Sequence, residues 1–245
     1  MKECAFCSYS GKLSREHTVS EWIAEFFPGK TTSWFSSHSE SQTFTRKSVD
    51  WKAREVCASC NNTWMSDIEV EAKPILTPLI TGESGIPIGP IEARAIARFV
   101  FVKAVVLDHA HKAEGTRHFF NRHDRFAFRE HRILPADIQI WICGYKDHRA
   151  GGSVKTLYHQ SKLPSGDRFK IYVCTCAFGY FAFQLLAVKY IGNTRFWSTA
   201  GFEPIAIAIW PGVQPDFVWP PTYALADREQ FLEFSKRWER IRIGI

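Results

Sequence analysis

Apolar residues recur every three or four positions through residues 91–110. Ala95, Phe99, Val102 and Val106 share one face at that spacing, which predicts a long helix with a broad buried side. The PIGP at 87–90 supplies its start signal. Residues 61–72 (NNTWMSDIEVEA) predict a second helix, with Asn61 or Asn62 as N-cap, acids following, and Pro74 just beyond as a stop. Residues 116–132 predict a third helix, ended before Pro135, and 227–241 carry the amphipathic pattern of a closing helix. The segment 31–48 is rich in Ser and Thr and weakly periodic, and much of it reads as a long loop.

The pattern changes at Ile138. IQIWICGY, SVKTLYHQ, RFKIYVCTCA, YFAFQLLAVKY and EPIAIAIW are short β-branched and aromatic runs with loops between them, and they predict an antiparallel sheet. Residues 171–188 hold no charge over 18 positions, which is near the length of a spanning helix. A turn signal at Phe178-Gly179-Tyr180 divides that run, and Gln184 suits lipid poorly. The run therefore predicts two buried strands and no membrane partner. The expected fold class is α+β. Residues 1–73 form a cysteine-bearing module, and residues 74–245 form helices plus the antiparallel sheet. The tryptophans from Trp141 onward are expected to build a second core.

A chain of 245 residues accommodates one large domain or two ordinary ones. Its 45% hydrophobic and 15% aromatic content supplies a sizeable core and excludes a largely disordered chain. The formal charge is +6. The first 66 residues are nearly balanced, with eight Lys/Arg against seven Asp/Glu, so the basic excess lies beyond them. That charge is compatible with a polyanionic partner without specifying one. Four of the seven cysteines form two CxxC pairs, Cys4/Cys7 and Cys57/Cys60. An odd count with paired spacing fits a reducing compartment and a metal better than a disulfide framework. MKECAFCSYSGK lacks the apolar run of a signal peptide, so a cytoplasmic location is expected.

Two CxxC turns can present four thiolates to one tetrahedral zinc. The segment between the pairs is longer than the spacer of an ordinary zinc ribbon, which suggests a zinc that staples the base of an inserted motif. A purely structural zinc finger is the plainer alternative. The inserted segment carries Glu16-His17, and Asn61 follows the last cysteine. A neutral histidine can take a proton from water near neutral pH. A carboxylate and an amide oxygen can hold a hard divalent cation against a phosphate. Glu16, His17 and Asn61 are therefore the candidate catalytic set for phosphodiester hydrolysis.

These motifs resemble the HNH endonuclease family, the ββα-metal nucleases, in its cysteine-bearing branch. The resemblance rests on CAFC, on Glu16-His17-Thr18-Val19 and on Val56-Cys57-Ala58-Ser59-Cys60-Asn61, and covers about the first third of the chain. It implies structural zinc on Cys4, Cys7, Cys57 and Cys60. It also implies Mg2+ or another catalytic divalent ion on Glu16 and Asn61, His17 as general base, and nucleic acid, DNA foremost, as substrate. A defence or mobile-element setting would fit the family. Two positions depart from its pattern. Lys52 stands where the family often places an Asn that orients the histidine; Asp50, Asn62 or the Lys52 carbonyl are the available substitutes. Trp64 stands where a Lys is common. Those departures favour the rival reading, a zinc-stabilised nucleic-acid-binding or adaptor protein without turnover.

A basic stripe is the third feature. His118, Arg122, Arg125, Arg129 and Arg132 are spaced to share one side of a helix, with Phe119 and Phe126 on an adjacent face. Such a ridge can follow a phosphate backbone, and Arg122, Arg125, Arg129 and Arg132 are the candidate nucleic-acid contacts. A solvated face paired with Asp124 and Glu130, or a patch for a protein partner or regulator, has the same periodicity. Cys174-x-Cys176 reads as core, and His109-x-His111 as a favourable charge at a helix C-terminus.

Overall fold

The computed structural model describes residues 2–14, 16–35, 43–46, 52–110, 118–147, 151–162, 166–191, 196–199, 205–212 and 216–244. The N-terminal elements are β1 (Glu16–His17), α1 (Glu21–Glu25), β2 (Thr32–Phe35), β3 (Thr43–Arg46), β4 (Lys52–Ala53) and α2 (Ala58–Cys60). A π turn at Asn61–Met65 leads into α3 (Ser66–Thr81). Next come β5 (Ile86–Ile88), α4 (Pro90–Ala110), α5 (Arg122–His131), β6 (Ile138–Tyr145), β7 (Gly152–Lys162), β8 (Arg168–Phe178) and β9 (Phe181–Ile191). The chain closes with β10 (Phe196–Thr199), β11 (Ala206–Trp210), β12 (Phe217–Trp219), β13 (Ala224–Leu225), α6 (Arg228–Ser235) and β14 (Ile241–Gly244). This is an α+β arrangement whose sheet is mostly antiparallel.

The main sheet runs β11-β6-β9-β8-β7-β2-β3, with β13 joining β6 in parallel. Alternation along its strands sorts side chains to two sides. Ile138, Ile140 and Ile142 of β6, Tyr172, Cys174 and Cys176 of β8, and Phe181, Phe183 and Leu185 of β9 enter the larger core beneath α3 and α4. Trp141, Cys143, Ile171, Val173, Ala182 and Leu186 enter a smaller core covered by Phe231 and Phe234 of α6. The uncharged run is the β8–β9 hairpin. Gly179 turns it at φ 55°, where an added Cβ would meet the Ile80 carbonyl oxygen at 2.3 Å. Gln184 stays in the apolar interior because its amide donates to Thr175 Oγ1 (3.0 Å) and to the Phe234 carbonyl (2.8 Å). Among the described residues, no helix is long and apolar enough to cross a membrane.

Several expected boundaries shift, each for a local reason. Part of the expected 31–48 loop forms strands: β2 pairs with β3 and, in parallel, with β7. A ready partner strand outweighs weak periodicity there. The second helical stretch begins at Ala58, because Cys57 is the N-cap and its sulfur accepts from the Cys60 amide. It then continues through Pro74 and Pro78 to Thr81, ending at Gly82 with φ 87°. Each internal proline costs about 3 kcal/mol. Burial of Ile68, Ala72, Leu76, Leu79 and Ile80 offsets this at roughly 1.5–3 kcal/mol per large side chain. The third helix is only α5. Asn121 caps it by accepting from the Asp124 amide (2.9 Å), while the Asp108 carboxylate captures the amides of Phe119 (2.9 Å) and Phe120 (3.2 Å). The closing helix ends at Ser235, and a 3-10 turn leads to β14 on β10. The tryptophans also divide: Trp141 lies in the smaller core, whereas Trp219 packs against Phe181 in the larger one.

Candidate metal centre and adjacent cleft

The two CxxC turns meet where the sequence placed them together. The four sulfurs of Cys4, Cys7, Cys57 and Cys60 all lie within 4.8 Å of one another, with Cys7 and Cys57 at 3.6 Å. A tetrahedral zinc with Zn–S bonds near 2.3 Å requires sulfur separations of about 3.8 Å, so the donor set fits. Backbone amides already point at the sulfurs. Phe6 N (3.5 Å) and Cys57 N (3.3 Å) donate to Cys4, and Cys60 N (3.5 Å) donates to Cys57. Such donors stabilise thiolate over thiol. The sulfurs are also electrically coupled. The Cys60 thiol beside Cys4 pulls Cys4 down to about 4 against its burial, while Cys60 is pushed up in return. A divalent cation would satisfy all four ligands together by displacing their protons.

Strand pairing attaches this cluster to the Glu16-His17 strand. Ala5 N donates to the Glu55 carbonyl (2.7 Å), and both Ser14 N (2.8 Å) and Ser14 Oγ (2.7 Å) donate to the Val56 carbonyl. Beyond them β1 and β4 pair antiparallel, with Glu16 opposite Ala53 and His17 opposite Lys52. The helical stretch starting at Ala58 follows directly. The paired β1 and β4 and the start of the helical stretch thus lie beside the cysteine cluster, with α1, β2 and β3 intervening in sequence between the two strands.

His17, Glu21, Asn61, Asn62, Met65, Ser66 and Glu69 line an open, mostly polar cleft of about 300 Å3. Met65 and Glu69 fall four residues apart and share a side, and the π turn at Asn61–Met65 brings Asn61 to the same cleft. His17 and Asn61, far apart in sequence, thus share one cleft. His17 Nε2 lies 3.9 Å from Glu21 Oε2, a loose contact because the Glu21 side chain is 72% exposed. The backbone of Glu16 is in β1, but its side chain lies outside the described residues, as does Asp50. An imidazole, two amides and two carboxylates thus share one polar recess.

Beneath the cleft are residues that motif reading does not select. Lys103 of α4 is 3% exposed; its Nζ donates to the His17 carbonyl (3.1 Å) and to Glu69 Oε1 (2.6 Å). Ser20 Oγ donates to the same oxygen at 2.6 Å. Burial alone would push the Glu69 carboxyl up, but the Lys103 ammonium, the Lys103 and Ser20 hydrogen bonds, and the nearby His17 together hold it below the usual range. A signal existed: Lys103 is the one charge within the apolar run FVFVKAVVL, and a buried charge needs a partner.

The stripe resolves into two kinds of arginine. Arg125 is half-buried, and its guanidinium donates to the carbonyls of Ala5, Phe120 (3.0 Å) and Asn121 (3.2 Å). Arg132 caps α5 and lies 4.6 Å over the Trp64 ring. Arg122, stacked 4.7 Å from Phe126, and Arg129 are exposed. His118 precedes the helix. Trp64, at the position where the family has Lys, is buried edge-on against Phe6 (5.0 Å) and Phe128 (6.0 Å), joining the cysteine loop to α5.

Asp108, His109 and His118 also bring ligand atoms within 4.8 Å; His111 lies outside the described residues. The two imidazoles stack with ring centroids 3.7 Å apart and planes 9° from parallel. Their in-plane lone pairs therefore run side by side and do not converge on one ion. Both Asp108 oxygens accept backbone amides, and burial pushes its carboxyl up to about 6. Burial, then His118 and Arg125, push His109 down to about 2.

Acid stability should follow from the signs of these shifts. His109 stays neutral in the fold but charges in the unfolded chain below about 6.5, so its contribution is lost as pH falls from there towards 2. Asp108 binds its proton more tightly in the fold, so between about 6 and 4 it gains stability on acidification and offsets His109. Thermal melts of the wild type should thus be nearly flat in this contribution between pH 6 and 4 and fall below it. His109→Gln should flatten the fall below pH 4 relative to wild type. An unchanged acid limb in that variant would contradict the assignment.

Comparison of the chain with known protein families, with curated proteins and with solved structures finds no match.

Proposed function

We propose that the protein is a metal-dependent endonuclease with an HNH-like site, cutting phosphodiester bonds of nucleic acid, with DNA as the foremost substrate. The observation that carries this reading is the meeting of His17 and Asn61 in one polar cleft beside a four-cysteine cluster. Cys4, Cys7, Cys57 and Cys60 would hold structural zinc. Glu16 and Asn61 would hold the catalytic divalent ion, which when bound supplies positive charge against the phosphate. His17, fixed through its carbonyl by Lys103, would take the proton of the attacking water. Its antiparallel partner is Lys52, so backbone pairing supports the strand where the family's Asn is missing. The test is cleavage of plasmid and of single strands by zinc-loaded protein across a series of divalent ions. Binding without cutting under every ion would sink the reading.

The rival, a zinc-stabilised nucleic-acid binder or adaptor, draws on one observation. The position where the family commonly has a Lys is here the buried Trp64, a packing residue.

The arginines of α5 give a prediction common to both readings. Arg122→Ala with Arg129→Ala should weaken nucleic-acid binding and lower the salt slope by about 0.9 per lost phosphate contact for duplex DNA. Folding should be unaltered. Arg125→Ala should instead destabilise the fold by about 1–3 kcal/mol, because it leaves the Ala5 carbonyl without its guanidinium donor. Salt-dependent binding isotherms and melts of the two variants separate the roles. An unchanged salt slope in the Arg122/Arg129 variant would assign this face to a protein partner or to solvent.

A further inference from the structure

The wall beneath His17 is built in a way that stability alone does not explain. Lys103 places a buried ammonium on the core side of α4, 5.6 Å from the Phe99 ring. Removing such a charge from water costs several kcal/mol, and an apolar residue of similar size often serves as well or better. Ser20 occupies the N-cap position of α1, yet its hydroxyl makes no capping hydrogen bond and reaches Glu69 instead. A cap of that kind contributes about 1 kcal/mol, which α1 forgoes. Both sacrifices serve one atom, Glu69 Oε1. Among the described residues, Oε2 takes no hydrogen bond, and Glu69 lines the cleft with His17 and Asn61.

We infer that Glu69 is a carboxylate ligand for a divalent cation in the His17–Asn61 cleft and that Lys103 is the positioning residue that holds it there. This rests on reading the cleft as the divalent-ion site of the proposed function. A hard cation of the Mg2+ type is held by one or two carboxylates, with water and substrate oxygens completing its shell. A carboxylate gripped through one oxygen keeps the other oriented and available. Lys103 also holds the His17 carbonyl, so one buried ammonium sets the separation between the proposed base and the ligand. Partners that orient a ligand in this way typically change metal affinity by about 10–100-fold when removed.

The test is a Mn2+ titration of the zinc-loaded full chain, followed by the electron paramagnetic resonance of the free ion. Zinc content and circular dichroism report folding alongside it. Glu69→Gln keeps the side-chain shape and should weaken Mn2+ binding by more than about 10-fold. Lys103→Met should weaken it by about 10–100-fold. If Lys103→Met does not fold, Ser20→Ala removes one of the two grips without stranding a charge, and a several-fold loss is expected. Wild type that binds no Mn2+, or Glu69→Gln that binds it as wild type does, overturns the inference whether or not the protein cuts nucleic acid. Wild type that binds Mn2+ through Glu69 but never cuts would support the ligand assignment and sink the nuclease reading.

Discussion

Stripping zinc from the protein, or replacing Cys57 with serine, is expected to unfold the N-terminal strands and the start of the helical stretch. Cys57 is both a candidate ligand and the N-cap of α2, so one substitution removes a thiolate and a cap together. Structural zinc sites in small modules contribute about 10–16 kcal/mol of apparent binding energy near neutral pH, and that energy is coupled to folding. Here Phe6, Trp64 and Met65 also join the larger core, so part of the region keeps apolar support. The expected outcome is a large fall in melting temperature on chelation, with loss of the β1–β4 pairing that carries His17. Elemental analysis should find zinc in proportion to chain. Zinc-free protein with an unaltered melt would remove the metal from the account.

His17→Ala is expected to reduce Mg2+- or Mn2+-dependent cleavage by about a hundred- to ten-thousand-fold, the usual effect of deleting a general base. Zinc content and melting should stay at wild-type values, because the His17 imidazole lies at the cleft and the brace to Lys103 uses the backbone carbonyl. Glu16→Ala and Asn61→Ala should act differently, shifting the divalent-ion concentration needed for activity. Lys52→Asn tests the departure from the family pattern and should raise activity if orientation of His17 limits it. Single-turnover cleavage across ion concentrations distinguishes these outcomes. Cutting that survives His17→Ala would place the active site elsewhere.

What was legible in the sequence depended on whether a signal was local. The α4 helix and the β8–β9 hairpin follow from uninterrupted apolar patterning, and the cysteine cluster follows from spacing alone. The β2 and β3 strands did not show, because Ser- and Thr-rich segments become strands only when a partner is present, and β7 supplies it. The prolines of α3 misled for the same reason: propensity is local, while the burial of Leu76 and Leu79 is not. The start of α5 depended on Asp108, distant in the chain, capturing two amides. In the cleft, His17 and Asn61 carried a motif, whereas the lone charge of Lys103 in an apolar run called for a partner without naming Glu69, which only the fold brings to it.

The parallel pairing of β2 with β7 bears on how this protein can be cut and recombined. The segment between the two short strands of the cleft loops out and is hydrogen-bonded into the large sheet, and α3 packs on α4. A gene fragment ending near residue 81 would leave β2 as a bare edge and uncover the inner side of α3. Bare edges seek other chains, so that fragment is expected to aggregate when expressed alone. Grafting the cleft onto another scaffold would therefore require taking the sheet with it; it is a sewn-in patch, not a portable cassette.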